Sequence, residues 1–586
     1  MYTVPLVINI SVYHCPFFGS TMYKRLVVVL QFINLFWTTS CVDFVPEYLQ
    51  HLSLQVQTPK GIIQGQVKRT KDRDVQYFTF QGIPYALPPT GDLRFKAPVP
   101  FKGWEGVLDG TKENIPSCIQ ILPTMFGGTR ESEDCLFLSI FTPSESLNFD
   151  KPQMSVMVWI HGGGFLVGNP DIEYYGPDYF MEHNIVLVQI SYRLSSFGFL
   201  STEDMESPGN YGLKDQHVAF RWIKENIEYF GGDPDKVTIF GESAGAASVQ
   251  YHMLNLENRG LFHRAISQSG SSLCMWSYQR NPRSIAFDFG AAIGIRTRNS
   301  KELMEKLRRV PVEVLKAATT ATMVLHSLSF INGMVFGPSI EPWHDHAFLT
   351  NKTHQLLLEG KFIKVPHIVG FNSEETSMAK QGLSIANPLL QVINFDRSVM
   401  VPADMNAGDN TEECGKEIWK FYTSNHKPRS EQYIDFVNDG YFFRPIIESA
   451  RLIGKETPTY LYMFAYEGLI GRNAMGCRDV SDYKGVSHAE EMTYIFSRND
   501  LPTPTLADNT TIARMLKMWT NFAKTGNPTP ESDPLLEDIR WPSVDDNLNY
   551  LEINKNLIPQ SHIKEDMVHF WRDAYYKYGH PPFDTY

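Results

Sequence analysis

Little in this sequence would hold it on a nucleic acid or in a membrane. Lysine and arginine (53) are outnumbered by aspartate and glutamate (65), for a net charge of −12. With no cationic excess to neutralise phosphates, nucleic-acid binding is set aside. Long hydrophobic runs are lacking too. The apolar stretch from Leu26 to Trp37 has 12 residues and includes Gln31 and Asn34, whereas a spanning helix needs about 20. Preceded by Lys24 and Arg25 and followed by Thr38-Thr39-Ser40, it reads as the core of a secretory signal rather than an uncleaved anchor. Residues 1–41 are therefore assigned to a signal peptide and upstream segment, with Met22 as an alternative start. Residues 42–586 are assigned to one mature domain, expected to be secreted without a membrane span. The final Phe583-Asp584-Thr585-Tyr586 matches neither a retention signal nor an apolar anchor tail. No internal repeat, low-complexity tract or Ser/Gly linker divides the chain.

Cysteine is scarce, seven in 586 residues, a usage that agrees with an oxidising compartment. Cys118 and Cys135 close a short loop suited to one disulfide, and the remaining pairing stays open. Cys15 and Cys41 fall in or at the edge of the segment expected to be removed, so the cleavage point sets whether the mature count is even. At least one free thiol is expected. The sequons Asn351-Lys352-Thr353 and Asn509-Thr510-Thr511 are expected on surface loops, as glycosylation sites of a secreted chain.

What is present is an ordinary globular composition, 43% hydrophobic and 20% charged, enough for a sizeable core. Val156–Ile160, Ile185–Ile190, Val237–Phe240 and Ile368–Gly370 are short, β-branched and bounded by turn residues, as buried strands of a parallel sheet are. Helical periodicity lies between and after them. Residues 213–228 carry Leu213, Ala219, Phe220, Trp222, Ile223 and Ile227, with Gly231-Gly232-Asp233-Pro234 ending the pattern. Ile512, Met515, Leu516, Trp519 and Phe522 repeat at three- and four-residue steps before Gly526. Strands alternating with helices predict an α/β fold, with a large, mostly parallel central sheet and helices on both faces.

Gly241-Glu242-Ser243-Ala244-Gly245 follows one of these strands and opens a helix-compatible run to Leu254. That context presents a serine on a sharp turn, and the flanking glycines supply room that a Cβ would occupy. Upstream, the strand ending at Ile160 runs into His161-Gly162-Gly163-Gly164-Phe165. No Lys-Ser or Lys-Thr follows to make it a phosphate loop. Its expected role is to present the N–H groups of Gly163 and Gly164, with that of Ala244, to an oxyanion. A serine hydroxyl needs a base, and the base needs an acid to fix its tautomer. Among 17 histidines, His488 in Gly485-Val486-Ser487-His488-Ala489-Glu490-Glu491 follows the strand-like Thr459–Tyr466. Glu374 and Glu375 follow the strand at Gly370 and preserve the order serine, acid, histidine.

These blocks, with Phe80-Gln81-Gly82-Ile83-Pro84-Tyr85-Ala86, Leu93-Arg94-Phe95, Glu133-Asp134-Cys135-Leu136, Tyr192-Arg193-Leu194 and Asn210-Tyr211-Gly212-Leu213-Lys214-Asp215-Gln216, resemble the type-B carboxylesterases of the carboxylesterase and cholinesterase family, among them secreted insect esterases. The resemblance covers nearly all of the mature chain and implies an α/β-hydrolase fold and a serine ester hydrolase. It implies Ser243 as nucleophile, His488 as base and Glu375, three residues after Asn372, as acid, although Thr376 stands where glycine usually follows. It further implies the disulfide Cys118–Cys135 and structural ion pairs Arg94–Glu133 and Arg193–Asp215. The family's second small disulfide would use Cys274, but no cysteine follows before Cys414. Trp276 resembles an acyl-pocket aromatic, with ordinary core packing as the alternative.

Cholinesterases of this family hold their cation on a tryptophan inside the first disulfide loop. The Cys118–Cys135 loop has none, so a neutral small-molecule ester is the expected substrate. Juvenile hormone esterases are a partial match, since they carry Gln where this chain has Glu242. A non-catalytic, cholinesterase-like adhesion ectodomain is the alternative in a different class. No metal or cofactor is implied, and the oligomeric state is left open.

Overall fold

The computed structural model describes residues 54–121, 130–143, 147, 153–326, 333–376, 393, 395–424, 430–473 and 484–586. The expected signal segment, with Cys15, Cys41 and Cys477, lies outside them. The strands are β1 (Leu54–Thr58), β2 (Gly61–Arg69), β3 (Gln76–Pro84), β4 (Val107–Asp109), β5 (Ser117–Cys118), β6 (Glu131–Ser132), β7 (Phe137–Pro143) and β8 (Met154–Ile160). They continue with β9 (Val186–Ile190), β10 (Gly232–Glu242), β11 (Arg264–Gln268), β12 (His367–Asn372), β13 (Thr459–Phe464), β14 (Tyr550–Ile553) and β15 (Leu557–Gln560). One large sheet runs β1-β2-β3-β7-β9-β8-β10-β11-β12-β13-β14-β15, with β4 beside β2. From β9 through β14 every pairing is parallel. The β1-β2-β3-β7-β9 flank and the last pair are antiparallel.

Strand geometry explains the unbroken apolar runs in the parallel part. Successive side chains point to opposite faces, so a strand covered on both sides reads as a near-continuous apolar run. Val156, Val158 and Ile160 of β8 join one core, while Met157 and Trp159 join the other. Val237 and Ile239 of β10 split from Phe240 in the same way. Helices cover both faces, including Tyr211–Asn226 and Ala244–Leu254 on the first core and Leu506–Thr525 on the second. No helix among the described residues is long and apolar enough to cross a membrane.

One expectation is corrected. Asn509 is exposed but sits in the first turn of the helix Leu506–Thr525, not in a loop. The reason is local: the Thr505 hydroxyl accepts from the Asp508 N–H, and the Asp508 carboxylate accepts from the Thr505 N–H. This capping box starts the helix ahead of the sequon. Asn351 is exposed just before the helix Thr353–Leu358.

Candidate active site

The carboxyl ends of β8, β10, β12 and β13 meet at one edge, where parallel α/β sheets place ligands. Between β10 and its helix, Ser243 has φ 57° and ψ −120°, a conformation that non-glycine residues hold only under strong local constraint. The constraint is visible. A Cβ on Gly241 would lie 2.5 Å from the carbonyl carbon of Gly245 and 2.7 Å from Ile160 O, and one on Gly245 would lie 2.0 Å from Ile160 O. The turn is wedged against the end of β8, and glycine alone fits at both positions. Ser243 N–H is tied to Gln268 O at 2.8 Å.

The same wedge carries the glycine loop. A Cβ on Gly162 would approach Ser243 Cβ to 3.1 Å and Glu242 Oε2 to 2.6 Å, so the loop lies directly against the serine turn. Gly163 and Gly164 hold φ 100° and 61°, and a Cβ on Gly163 would strike Val167 O at 2.1 Å. Among the described residues, neither of their N–H groups donates to another backbone group. Ala244 opens the helix, so its N–H also has no intrahelical acceptor.

Glu375 and His488 are brought together. His488 Nδ1 lies 2.6 Å from Glu375 Oε2, and Asn372 N–H donates to Glu375 Oε1 at 2.8 Å. The two loops are laced by Glu374 N–H to Val486 O at 2.9 Å and by His488 N–H to Glu375 O at 3.1 Å. Of the adjacent glutamates, Glu375 is buried against the histidine, while Glu374 turns to accept from Asn438 Nδ2.

The other ring nitrogen departs from the simplest expectation. Nε2 is 3.0 Å from Glu242 Oε1, and no hydrogen bond joins His488 to Ser243. Burial alone would lower the imidazole pKa, but Glu242 and Glu375, one at each nitrogen, outweigh it and raise it well above the usual value. Glu491 completes the cluster, accepting from Asn372 Nδ2 at 2.5 Å. Its burial, followed by the charges of Glu242 and Glu375, pushes its pKa up to about 8. Sequence reasoning missed Glu242 and Glu491 as neighbours of the histidine. Their adjacency to Ser243 and His488 was the available signal.

Phe442 packs on the His488 ring at 5.0 Å between centroids, and Trp276 lies 5.7 Å from Phe442. Trp276 Nε1 donates to Tyr441 O at 2.9 Å, so the tryptophan stands one ring behind the histidine. Met334 Cε faces Gly164 across the loop. Phe442 left no local sequence signal, because only the folded chain brings it to His488. Further out, Cys118 and Cys135 are disulfide-bonded, and Cys274 and Cys414 are buried and free. Arg94 meets Glu133 through Nε at 2.5 Å and Nη2 at 2.6 Å. Arg193 meets the fully buried Asp215 through Nε at 2.7 Å and Nη2 at 2.6 Å.

Comparison with known proteins extends this geometry. The model of the carboxylesterase family matches residues 52–571. A juvenile hormone esterase of Tribolium castaneum is 34% identical over 553 residues, covering 88% of this chain and 89% of its own. Venom carboxylesterase-6 of Apis mellifera is 33% identical, covering 85% and 90%. The crystal structure of juvenile hormone esterase from Manduca sexta, with OTFP covalently attached, superposes with a TM-score of 0.80 at 30% identity, covering 89% of this chain and 100% of that one. A likeness that spans the α/β-hydrolase sheet and both edges of the site places the chain in the carboxylesterase family, as a carboxylic ester hydrolase.

Proposed function

We propose that the protein is a secreted serine carboxylesterase that cleaves neutral esters through an acyl-enzyme, with Ser243, His488 and Glu375 as its triad. The observation that carries this reading is the 2.6 Å contact of His488 Nδ1 with buried Glu375, beside a serine held at φ 57°. When ester enters, the proton between His488 Nε2 and Glu242 stays with the Glu242 carboxylate. The freed Nε2 turns to Ser243 Oγ and takes its proton as Oγ attacks the carbonyl carbon. Glu375 steadies the imidazolium, and the N–H groups of Gly163, Gly164 and Ala244 hold the oxyanion. The intermediate collapses as Nε2 protonates the leaving alcohol. Water, deprotonated by the same nitrogen, then releases the acid and restores Ser243. Trp276, Phe442 and Met334 form the apolar wall for the acyl group. Arg94–Glu133 and Arg193–Asp215 brace the scaffold, and Asn351 and Asn509 are exposed acceptors for glycans on the secreted chain.

Identity does not select the ester. The Tribolium juvenile hormone esterase at 34%, an acetylcholinesterase of Bungarus fasciatus at 32% and a rabbit liver carboxylesterase at 31% are nearly equidistant. They support ester hydrolysis as a class. The test is turnover of neutral aryl esters with and without an organophosphate, followed by peptide mass spectrometry. An adduct on Ser243 with loss of turnover, and an inactive but folded Ser243→Ala variant, are expected. No turnover and no adduct in folded protein would instead favour a silent binding protein.

A further inference from the structure

The residue following the proposed acid is Thr376, and what holds it lies far away in the chain. Asn438, 2% exposed, sits immediately before a π-helical turn, Asp439–Phe443. Its Oδ1 accepts both the Thr376 backbone N–H at 2.8 Å and the Thr376 hydroxyl at 2.7 Å. Its Nδ2 donates to Glu374 Oε2 at 3.0 Å. One carboxamide thus spends its acceptor and a donor on the residues either side of Glu375. Four residues on, Phe442 packs on the His488 ring at 5.0 Å. The intervening Tyr441 carbonyl accepts from Trp276 Nε1 at 2.9 Å. A π-helical turn, with its extra residue per turn, is often found at functional sites. Here it sets the phase between an asparagine aimed at the acid turn and a phenylalanine aimed at the base.

We infer that Asn438 is a positioning residue for ester hydrolysis, fixing Glu375 relative to His488 by clamping the acid turn to the segment that carries Phe442. The inference rests on the triad reading above. Glu375 touches the histidine through a single oxygen, and its other oxygen is held by Asn372 N–H, so the position of the carboxylate depends on how firmly its turn is anchored on the far side. Thr376 Oγ1 takes part in that anchor, which gives the threonine at this position a task that glycine could not perform. The charges that raise the His488 pKa are those of Glu242 and Glu375, Glu491 interacts electrostatically with the same ring, and changing Asn438 alters none of the three.

The test is Asn438→Ala in the full-length protein, with steady-state kinetics over pH and a thermal melt. A roughly tenfold lower kcat with little change in KM is expected, since misplacing a group by a fraction of an ångström costs rate rather than binding. The acid limb of kcat/KM should move to lower pH, because a loosened carboxylate stabilises the imidazolium less. A merely structural role would lower the melting temperature and leave that limb in place. Thr376→Val, which removes one of the two bonds to Oδ1, should lower kcat about threefold, and adding it to Asn438→Ala should change little further, since both remove the same bond. Wild-type kcat and an unmoved limb in Asn438→Ala overturn the inference. If that variant fails to fold, the same result in Thr376→Val does so. Turnover surviving in Ser243→Ala would defeat the triad reading itself, whereas serine-dependent turnover that ignores Asn438 defeats only this inference.

Discussion

Gly245→Ala is the most direct probe of how the serine turn is held. The added methyl would stand 2.0 Å from Ile160 O, 3.0 Å from Ile160 C and 3.1 Å from His161 O. All three are backbone atoms at the end of a central strand, so no side chain can swing away. Real Cβ contacts do not fall below 3.0 Å, so the helix Ala244–Leu254 and the end of β8 must part by at least 1 Å along that line. Overpacking of this kind costs about 1–3 kcal/mol of stability. The larger effect falls on rate, because the displacement separates Ser243 and Ala244 on one side from Gly163 and Gly164 on the other. A misplacement of about 1 Å is worth roughly 100-fold in kcat, or about 2.7 kcal/mol of barrier. The assay is kcat on a neutral aryl ester below the melting transition. Gly260→Ala serves as the reference, since a Cβ there meets no atom of the described residues within 4 Å although its φ is +82°. Gly260→Ala should lose stability and keep kcat. A Gly245→Ala enzyme that also keeps kcat would refute the claim that this wedge sets the geometry of the site.

Two further outcomes are expected. Arg193→Met strands the fully buried Asp215 carboxylate, which then keeps only the residue 193 N–H at 3.0 Å of its former contacts with that residue. A loss of about 3–5 kcal/mol in urea unfolding should follow, most of it recovered when Asp215→Leu is added; a loss under about 1 kcal/mol would contradict the pair's burial. Glu242→Gln removes one of the two carboxylates that raise the His488 pKa. The base then stays neutral to lower pH, and the acid limb of kcat/KM should move downward. The raised pKa favours the fold at low pH, an advantage lost as pH rises through the folded pKa, so this variant should also be less stable on the acid side. An unmoved or upward limb would count against Glu242 as a partner of the histidine.

The features legible in the sequence are those imposed by backbone sterics over a few residues. Gly241 and Gly245 stand where a Cβ would hit backbone, and Gly163 where one would hit Val167 O, so residue type alone marked both loops. The parallel strands β8, β9, β10, β12 and β13 were legible because each feeds two cores and is largely apolar, whereas β11, Arg264-Ala265-Ile266-Ser267-Gln268, and the short β14 were not assigned. The antiparallel flank was not assigned: β2 reads Gly61-Ile62-Ile63-Gln64-Gly65-Gln66-Val67-Lys68-Arg69, half polar because it is partly exposed. The acid needed the family resemblance to separate Glu375 from Glu374, and the physical difference lies in which one Asn372 N–H captures. The capping box Thr505-Leu506-Ala507-Asp508 was readable and would have placed Asn509 on a helix. Phe442 and Asn438 were not readable, since their meaning comes from contacts with residues 46 and 62 positions away.

The carboxylates around His488 also bear on how a catalytic cycle ends. In the proposed cycle ester and alcohol are neutral, whereas the acid released from the acyl-enzyme would leave past Glu242 and Glu375, which flank His488. These two carboxylates stand one at each ring nitrogen of His488, and their field favours the imidazolium. On that cycle, the field that favours the imidazolium is expected to oppose retention of a carboxylate product and so to speed its release.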